Sequence, residues 1–405
     1  MIINKVKRFS AMDNKLIELV IFPLICIVFI LLHTNQSSSQ TLASLLLMLT
    51  PLTLLLPRTE EAFEYKHLRL LFALVFTYFL YNFFILTQNT YSHLSLTSYR
   101  ALFFWLLLPF TVIFLFNKKP TINSIALLFV IAAICSTYPI IADYQQNTRR
   151  GQSSMHAIFW GNISLCSAMI AFSLRKTFNN KSLKILSYVA LIFGLMASFW
   201  SLTRGGWISI PLSLLCLYLC KSFTIKHLAA YSVILALLIS LMPNVQERLL
   251  RTVKVNGSSW SNFSITLDGS TQARVDMWKM ASALIKENPI TGGGFSAYYD
   301  RAQELDHVQN YKMPHNEFIH SLVNGGIISL MLLLSVLVTL IIIFHGFRPG
   351  SHFKTAGYLL ILQFSVFSIS EIFFSTKLPI VYFCLASSFI IYAGLSEKHL
   401  NTTSS

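Results

Sequence analysis

Leu267-Asp268-Gly269-Ser270-Thr271-Gln272-Ala273-Arg274-Val275-Asp276-Met277-Trp278, Asn288-Pro289-Ile290-Thr291-Gly292-Gly293-Gly294-Phe295 and Met313-Pro314-His315-Asn316-Glu317-Phe318-Ile319-His320 share one polar interval, from about Pro243 to Gly326. It is the only long polar interval in the chain. Elsewhere the sequence is built from apolar runs of about 17 to 25 residues, each long enough to cross a hydrocarbon core of roughly 30 Å. The 405 residues are 54% hydrophobic and 12% charged, with a mean hydropathy of +0.61. A soluble domain carries about 25% charged residues, so this is a polytopic membrane protein. The Leu/Ile/Val/Phe runs lack the alternation of a membrane barrel, so helices must satisfy the backbone in lipid.

Twelve spans are expected, at 16–33, 40–57, 68–86, 99–117, 121–141, 157–174, 184–201, 206–220, 227–242, 325–345, 355–373 and 378–395. The fold class is therefore all-α, a helical membrane bundle of about twelve transmembrane helices with one large helical outer loop. Three regions follow: 1–242 with the first nine spans, 243–324 as the loop, and 325–405 with the last three spans and the C-terminus. The basic residues before the first apolar run precede no small-residue cleavage site, so that run is expected to be kept as a helix.

The net charge of +15 comes from short clusters between spans and not from one face, which argues against nucleic acid as a partner. Lys5, Lys7, Arg8 and Lys15, then Arg58, Lys66 and Arg69, Lys118 and Lys119, Arg175 to Lys184, Lys221 and Lys226, and Arg348 and Lys354 all alternate onto one side. By the positive-inside bias that side is the cytoplasm. Both termini then lie inside, and the 243–324 loop lies outside. Arg149 and Arg150 fall on the outer side against the bias, so they are candidates for contact with membrane lipids or an anionic substrate. Six cysteines carry no metal-ligand spacing, and five of them sit in apolar runs as small hydrophobes.

Within the loop, Ser270 or Thr271 can cap a helix that runs to about Lys286 and ends at Asn288-Pro289. Arg274, Trp278 and Ala281 would share one face, beside an apolar stripe of Ala273, Met277, Met280 and Leu284. Residues 256–270 read as an irregular connection, and 298–312 as a lid or short helix. Pro314 suits the first turn of a helix carrying His315, Asn316 and Glu317, which Asn324-Gly325-Gly326 would bend. A triple glycine with no following Lys-Ser/Thr is not a nucleotide phosphate loop.

Arg204, in Thr203-Arg204-Gly205-Gly206-Trp207 between two spans, can snorkel from a helix end or turn inward to hold a phosphate by two-point contact. The flanking glycines allow another segment to approach closely. Arg274 offers the same choice between a surface charge and an anion contact. His315 and His320 lack zincin spacing and a third ligand, so no metal site is assigned. A neutral imidazole suits His315 to proton transfer, with helix capping as its structural alternative.

These features together resemble the bacterial O-antigen ligase family, within the O-antigen ligase and polymerase superfamily of membrane glycosyltransferases. The resemblance rests on the twelve-span plan with one dominant outer loop, Thr203-Arg204-Gly205, Ala273 to Trp278, Asn288 to Phe295, and His315-Asn316 followed by Gly326. Ile327-Ile328-Ser329-Leu330 stands where the family pattern has a Gly-Thr pair. The resemblance implies transfer of O-antigen from undecaprenyl pyrophosphate to a terminal sugar of lipid A-core oligosaccharide, at the periplasmic face of the inner membrane, with no cofactor and no obligatory metal. On this reading Arg204 and Arg274 bind the donor diphosphate and His315 takes the acceptor proton, giving inversion. Asn316 holds the first helix turn or the acceptor. Arg248, Arg251, Arg149, Arg150 and Trp278 are further substrate-contact candidates, and Trp207 and Trp278 can either line the lipid or sugar path or anchor at the membrane interface. Two alternatives stay open: an O-antigen polymerase extending a prenyl-linked glycan, and a non-enzymatic exporter or flippase for an anionic lipid.

Overall fold

Side-chain caps mark where the helices begin. Asn35 accepts from the Ser38 amide at 2.9 Å, Thr121 from Ser124 at 3.2 Å, Asn180 from Ser182 at 2.7 Å and Asn316 from Ile319 at 3.1 Å. Each satisfies an amide that the first turn leaves without a helical partner. The computed structural model describes residues 18–56, 59–88, 101–148, 150, 153–241, 243–250, 253–256, 264–267, 269–304 and 312–402. Arg149 and Arg251 lie outside the described residues, as do the basic residues before the first span and Arg58.

Among the described residues eight helices are long and apolar enough to cross a membrane: Lys66–Gln88, Ala101–Lys118, Ile122–Gln145, Ala157–Thr177, Lys181–Trp200, Glu317–His345, His352–Ser370 and Lys377–Glu397. Shorter apolar helices at Glu18–Leu31 and Arg204–Leu219 overlap two more expected spans, and helices Gln36–Leu49 and Ile225–Ser240 overlap parts of the other two. Ile122–Gln145 contains a turn at Ser136 and Thr137, followed by Pro139. Ala157–Thr177 and Lys377–Glu397 are the innermost helices, 94% and 100% buried over their apolar windows. Many large apolar side chains on the outer helices are exposed, among them Met48, Leu80, Phe84, Ile185 and Leu219, as a lipid-facing surface requires.

Small residues allow close helix packing without the hydrophobic driving force that water would supply. A β-carbon on Gly194 would meet the Ala168 side chain and the Ser164 carbonyl, and one on Gly161 would meet Ser201. One polar chain inside the bundle is internally satisfied: His33 Nε2 pairs with Ser167 Oγ at 2.7 Å, and Ser167 Oγ donates to the Tyr382 hydroxyl at 2.8 Å. All six cysteines are free.

The polar interval departs from the sequence expectation at a strand ribbon and at the start of its last helix. Residues Val253–Asn256 and Ser264–Leu267 form a two-stranded antiparallel ribbon with Val253 opposite Leu267, where an irregular connection was expected. It is the departure from an all-helical chain among the described residues, and the alternating Val-Lys-Val-Asn and Ser-Ile-Thr-Leu suit it. Helix Pro243–Leu250 carries Arg248. The last helix of the interval begins at Glu317 with Asn316 as its cap, so His315 is not in a helical turn. His315 instead has φ 47°, a left-handed conformation that a side chain with a β-carbon adopts only when its surroundings impose it.

The long helix Gly269–Glu287 buries Met277, Met280, Ala281 and Leu284 against Tyr298 and Ala302 of the short helix Ala297–Gln303 and against Val323. Ala281, expected beside Arg274 on the polar face, belongs to this apolar cluster. The small core seats the interval on helix Glu317–His345, which runs through the expected 324/325 boundary and bends at Gly326, φ 63° and ψ −163°. That backbone region is essentially open to glycine alone. The bend frees backbone groups, and the Asn288–Gly294 segment takes them: Gly293 and Gly294 amides donate to the Val323 and Asn324 carbonyls at 2.8 and 3.0 Å, and the Ile327 amide donates to the Pro289 carbonyl at 2.9 Å. The Tyr81 hydroxyl donates to the Gly325 carbonyl at 2.8 Å.

Candidate active site

The arginine side of the site is assembled from three separate connections. Arg204 opens the helix that follows Thr203, Arg274 lies on the first turns of Gly269–Glu287, and Arg150 follows the Ile122–Gln145 helix. All three line one cavity of about 210 Å3, together with Asn162, Gly206, Ser270 and Ser370. The glycines do what the sequence asked of them: a β-carbon on Gly206 would collide with the Asn162 amide, and one on Gly205 with Ser370. Arg204 donates to Ser270 Oγ at 2.8 Å, which ties the bundle to the polar interval. Arg150 Nε donates to the Ser201 carbonyl at 3.2 Å.

Asn162 adds a residue that the sequence did not mark. It is fully buried, and among the described residues neither its Oδ1 nor its Nδ2 has a hydrogen-bond partner. An orphaned buried amide costs about 1–3 kcal/mol, and native proteins carry few of them. Beside three arginines, its natural complement is an anion with oxygens to accept from Nδ2.

The histidine side is built by three consecutive residues holding one turn. His315 Nδ1 and the Glu371 carboxylate lie 2.8 Å apart. Asn316 Nδ2 donates to the Ile369 carbonyl at 3.0 Å. The buried Glu317 carboxylate accepts from the Phe374 and Ser375 amides at 2.8 and 3.1 Å and from Ser375 Oγ at 2.6 Å. Glu371 is itself fixed, since the Ile372 amide donates to its Oε1 at 3.1 Å, and only 3% of its side chain is exposed against 29% for His315. Nδ1 is the ring nitrogen that meets Glu371. Ser370, next to Glu371 in the chain, lines the arginine cavity, so the two halves of the site adjoin.

His156 stands close enough to feel both halves. Burial holds its imidazole below the usual histidine value, Glu371 pulls it up, and Arg150 and His315 push it down. His320 takes a different partner from His315: its Nε2 is 2.9 Å from Asn324 Nδ2. Trp278 Nε1 donates to the Pro314 carbonyl at 2.9 Å, bracing the segment that delivers His315. Trp207 is buried against Phe199. Arg248 lies on helix Pro243–Leu250.

Residues 189–334 match the family described as O-antigen ligase, and this match supports the O-antigen ligase family for the chain. It covers Arg204, Arg274, His315 and the Gly326 bend, whereas Arg150, Asn162 and Glu371 lie outside it. The chain is also 28% identical over 210 residues to an uncharacterized protein of Haemophilus influenzae, an alignment spanning 47% of this chain and 51% of that protein. This chain thus covers about half the length of the curated relative it matches.

Proposed function

We propose, with the O-antigen ligase family match as the premise, that this chain is a membrane glycosyltransferase using a polyprenyl-diphosphate-linked sugar donor. It transfers O-antigen polysaccharide from undecaprenyl pyrophosphate to a terminal sugar of lipid A-core oligosaccharide, at the periplasmic face of the bacterial inner membrane. The observation that carries this reading is the convergence of Arg150, Arg204 and Arg274 on one cavity that also contains the unpaired amide of Asn162. Three cations and a donor amide in a small concave site suit a diphosphate better than a single carboxylate.

The chemistry divides between the two halves. Arg204 and Arg274 grip the diphosphate and stabilise the charge that grows on it as the anomeric C–O bond breaks and the electron pair moves to the phosphate oxygen. The acceptor hydroxyl oxygen forms the new bond from the opposite face, inverting the anomeric centre, and its proton passes to His315 Nε2. Glu371 keeps the imidazole oriented and stabilises the imidazolium as it forms, the part a carboxylate plays behind a catalytic histidine elsewhere. The arginines supply the charge a metal would otherwise provide. In this reading twelve helices span the membrane, both termini are cytoplasmic and the interval after the ninth helix is periplasmic.

Purified protein reconstituted with undecaprenyl-pyrophosphate glycan and lipid A-core, without ATP, tests the assignment. Covalent glycan on lipid A-core supports the ligase. Extension of a second prenyl-linked glycan would select the polymerase. Full transfer by a folded His315→Ala protein would remove the base, and unchanged donor affinity and turnover in both Arg204→Ala and Arg274→Ala would remove the diphosphate grip.

A further inference from the structure

At the end of the bundle opposite the arginine cluster lies a cavity of about 860 Å3 that the proposed chemistry does not use. Its size lies within the roughly 300–1,000 Å3 usual for ligand pockets. One wall precedes Lys66–Gln88, a second ends Ala101–Lys118, a third opens Ile122–Gln145 and a fourth closes Lys377–Glu397. The cavity therefore sits where four spans reach the polar headgroups, outside the hydrocarbon core.

The lining combines both signs of charge with an aromatic wall. Lys119 Nζ lies 2.9 Å from Glu61 Oε2, and the exposed Glu64 lines the same space. Burial raises the Tyr65 phenol above its usual value, and Glu64 and Glu61 raise it further, so both carboxylates stand near that ring. Phe116 joins two tyrosines, its ring centroid 5.8 Å from that of Tyr65 and 5.5 Å from that of Tyr392. The Tyr392 hydroxyl donates to the Pro120 carbonyl at 3.2 Å, and Thr121 Oγ1 caps its helix by accepting from the Ser124 amide at 3.2 Å. Asn123 and Ser396 complete the polar lining as uncharged groups. Carboxylates beside aromatic rings attract an ammonium, while the lysine next to them asks for an anion on the same ligand. A basic peptide meets only the first demand. The Glu61 and Lys119 side chains are 38% and 47% exposed. Such pairs hold little net stability in water, so a zwitterion that offers each partner a new opposite charge can insert between them. At this depth a lipid supplies it: Phe63 and Leu70, on the turns that flank Tyr65, are 40% and 47% exposed and give acyl chains an apolar surface.

We propose that this cavity binds the zwitterionic headgroup of a phospholipid from the surrounding leaflet, its ammonium against Glu61, Glu64 and the aromatic wall and its phosphate at Lys119. One bound lipid then ties together the four helix ends around it. The site is separate from glycosyl transfer and stands whether or not that reading holds.

Lipid titrations of the delipidated full-length protein, read by native mass spectrometry, test this. Phosphatidylethanolamine carries both charges and phosphatidylglycerol only the phosphate, so the first phosphatidylethanolamine should bind about tenfold more tightly than the first phosphatidylglycerol. Glu64→Gln, at an exposed position, should abolish most of that preference while leaving phosphatidylglycerol affinity unchanged. Lys119 has φ 51°, which asparagine tolerates, and Lys119→Asn should weaken both lipids. In nanodiscs, phosphatidylethanolamine with a diazirine on its headgroup should label 61–65, 116–123 and 392–396. Equal affinity for the two lipids, a preference unchanged in Glu64→Gln, or labelling confined to other segments would overturn the site. Soluble glycerophosphoethanolamine binding as tightly as the intact lipid would overturn the lipid as its source. An oligolysine peptide binding more tightly than either lipid would replace the headgroup with a basic segment.

Discussion

Glu371 and Asn162 carry the sharpest consequences at the level of single side chains. Glu371 meets His315 at 2.8 Å, and in the proposed mechanism it acts through that histidine, so Glu371→Gln keeps shape and removes the charge that would stabilise a forming imidazolium. Turnover should fall about 10²- to 10⁴-fold with the donor KM nearly unchanged, and Glu371→Asp should recover part of the loss; steady-state kinetics with a fixed acceptor reads both. Asn162→Leu separates binding from stability. Removing an unpaired buried amide should leave the melting temperature level or raise it, since the orphan costs about 1–3 kcal/mol, while the donor KM rises about tenfold or more through loss of a hydrogen bond to a charged group. A drop in stability with unchanged donor KM would mean that Asn162 is a packing residue. Arg150, Arg204, Arg274 and His315 are legible in the sequence because charge at a helix end in an apolar chain stands out. Asn162 sits inside an apolar run with nothing to mark its depth, and Glu371 lies 56 residues from the histidine it holds, a separation that no local pattern reports.

Among the elements, the bent helix Glu317–His345 and the glycine segment before it form one device. The bend at Gly326 leaves carbonyls and amides without helical partners, and the backbone of Pro289 to Gly294 takes them up. A β-carbon at Gly326 would collide with the Ile290 carbonyl, and one at Gly292 with the backbone of Asn324. Gly326→Ala should therefore destabilise by about 1–3 kcal/mol from backbone strain alone, and more from the collision. Gly350→Ala is the control, since its φ is also positive, 82°, but its β-carbon would meet nothing; thermal unfolding in detergent that fails to rank Gly326→Ala well below it would undo the account. The bend itself can be read from Asn324-Gly325-Gly326. Its partner cannot, because the pairing of a glycine segment with a freed helical turn is a tertiary fact. The helix start was misplaced for a similar reason: Pro314 fits an opening turn by local rule, but the grip of His315, Asn316 and Glu317 on the 369–375 turn fixes a left-handed His315 and moves the start to Glu317.

Across the whole molecule, the two ends of the bundle differ in kind. At one end Lys118 and Lys119 pair with Glu18 and Glu61 at 3.5 and 2.9 Å, and Arg175 is buried with its guanidinium 3.9 Å from the Phe172 ring centroid. At the other end Arg150, Arg204 and Arg274 gather around a cavity. Helix alternation, which the apolar runs make legible, is what sorts the basic residues this way; which of them would share a cavity depends on packing between helices far apart in sequence. The positive-inside bias assigns the first end to the cytoplasm, and the proposed reaction needs the second end in the periplasm. Single cysteines in a background cleared of the six native ones decide this. Lys279→Cys, on an exposed position of Gly269–Glu287, should react with a membrane-impermeant maleimide in intact spheroplasts. Lys181→Cys, exposed at the start of Lys181–Trp200, should react only after lysis. The reverse pattern would place the arginine cavity in the cytoplasm, on the opposite side of the membrane from the proposed periplasmic lipid A-core acceptor, and the glycosyl-transfer reading would then have to find a cytoplasmic acceptor or give way.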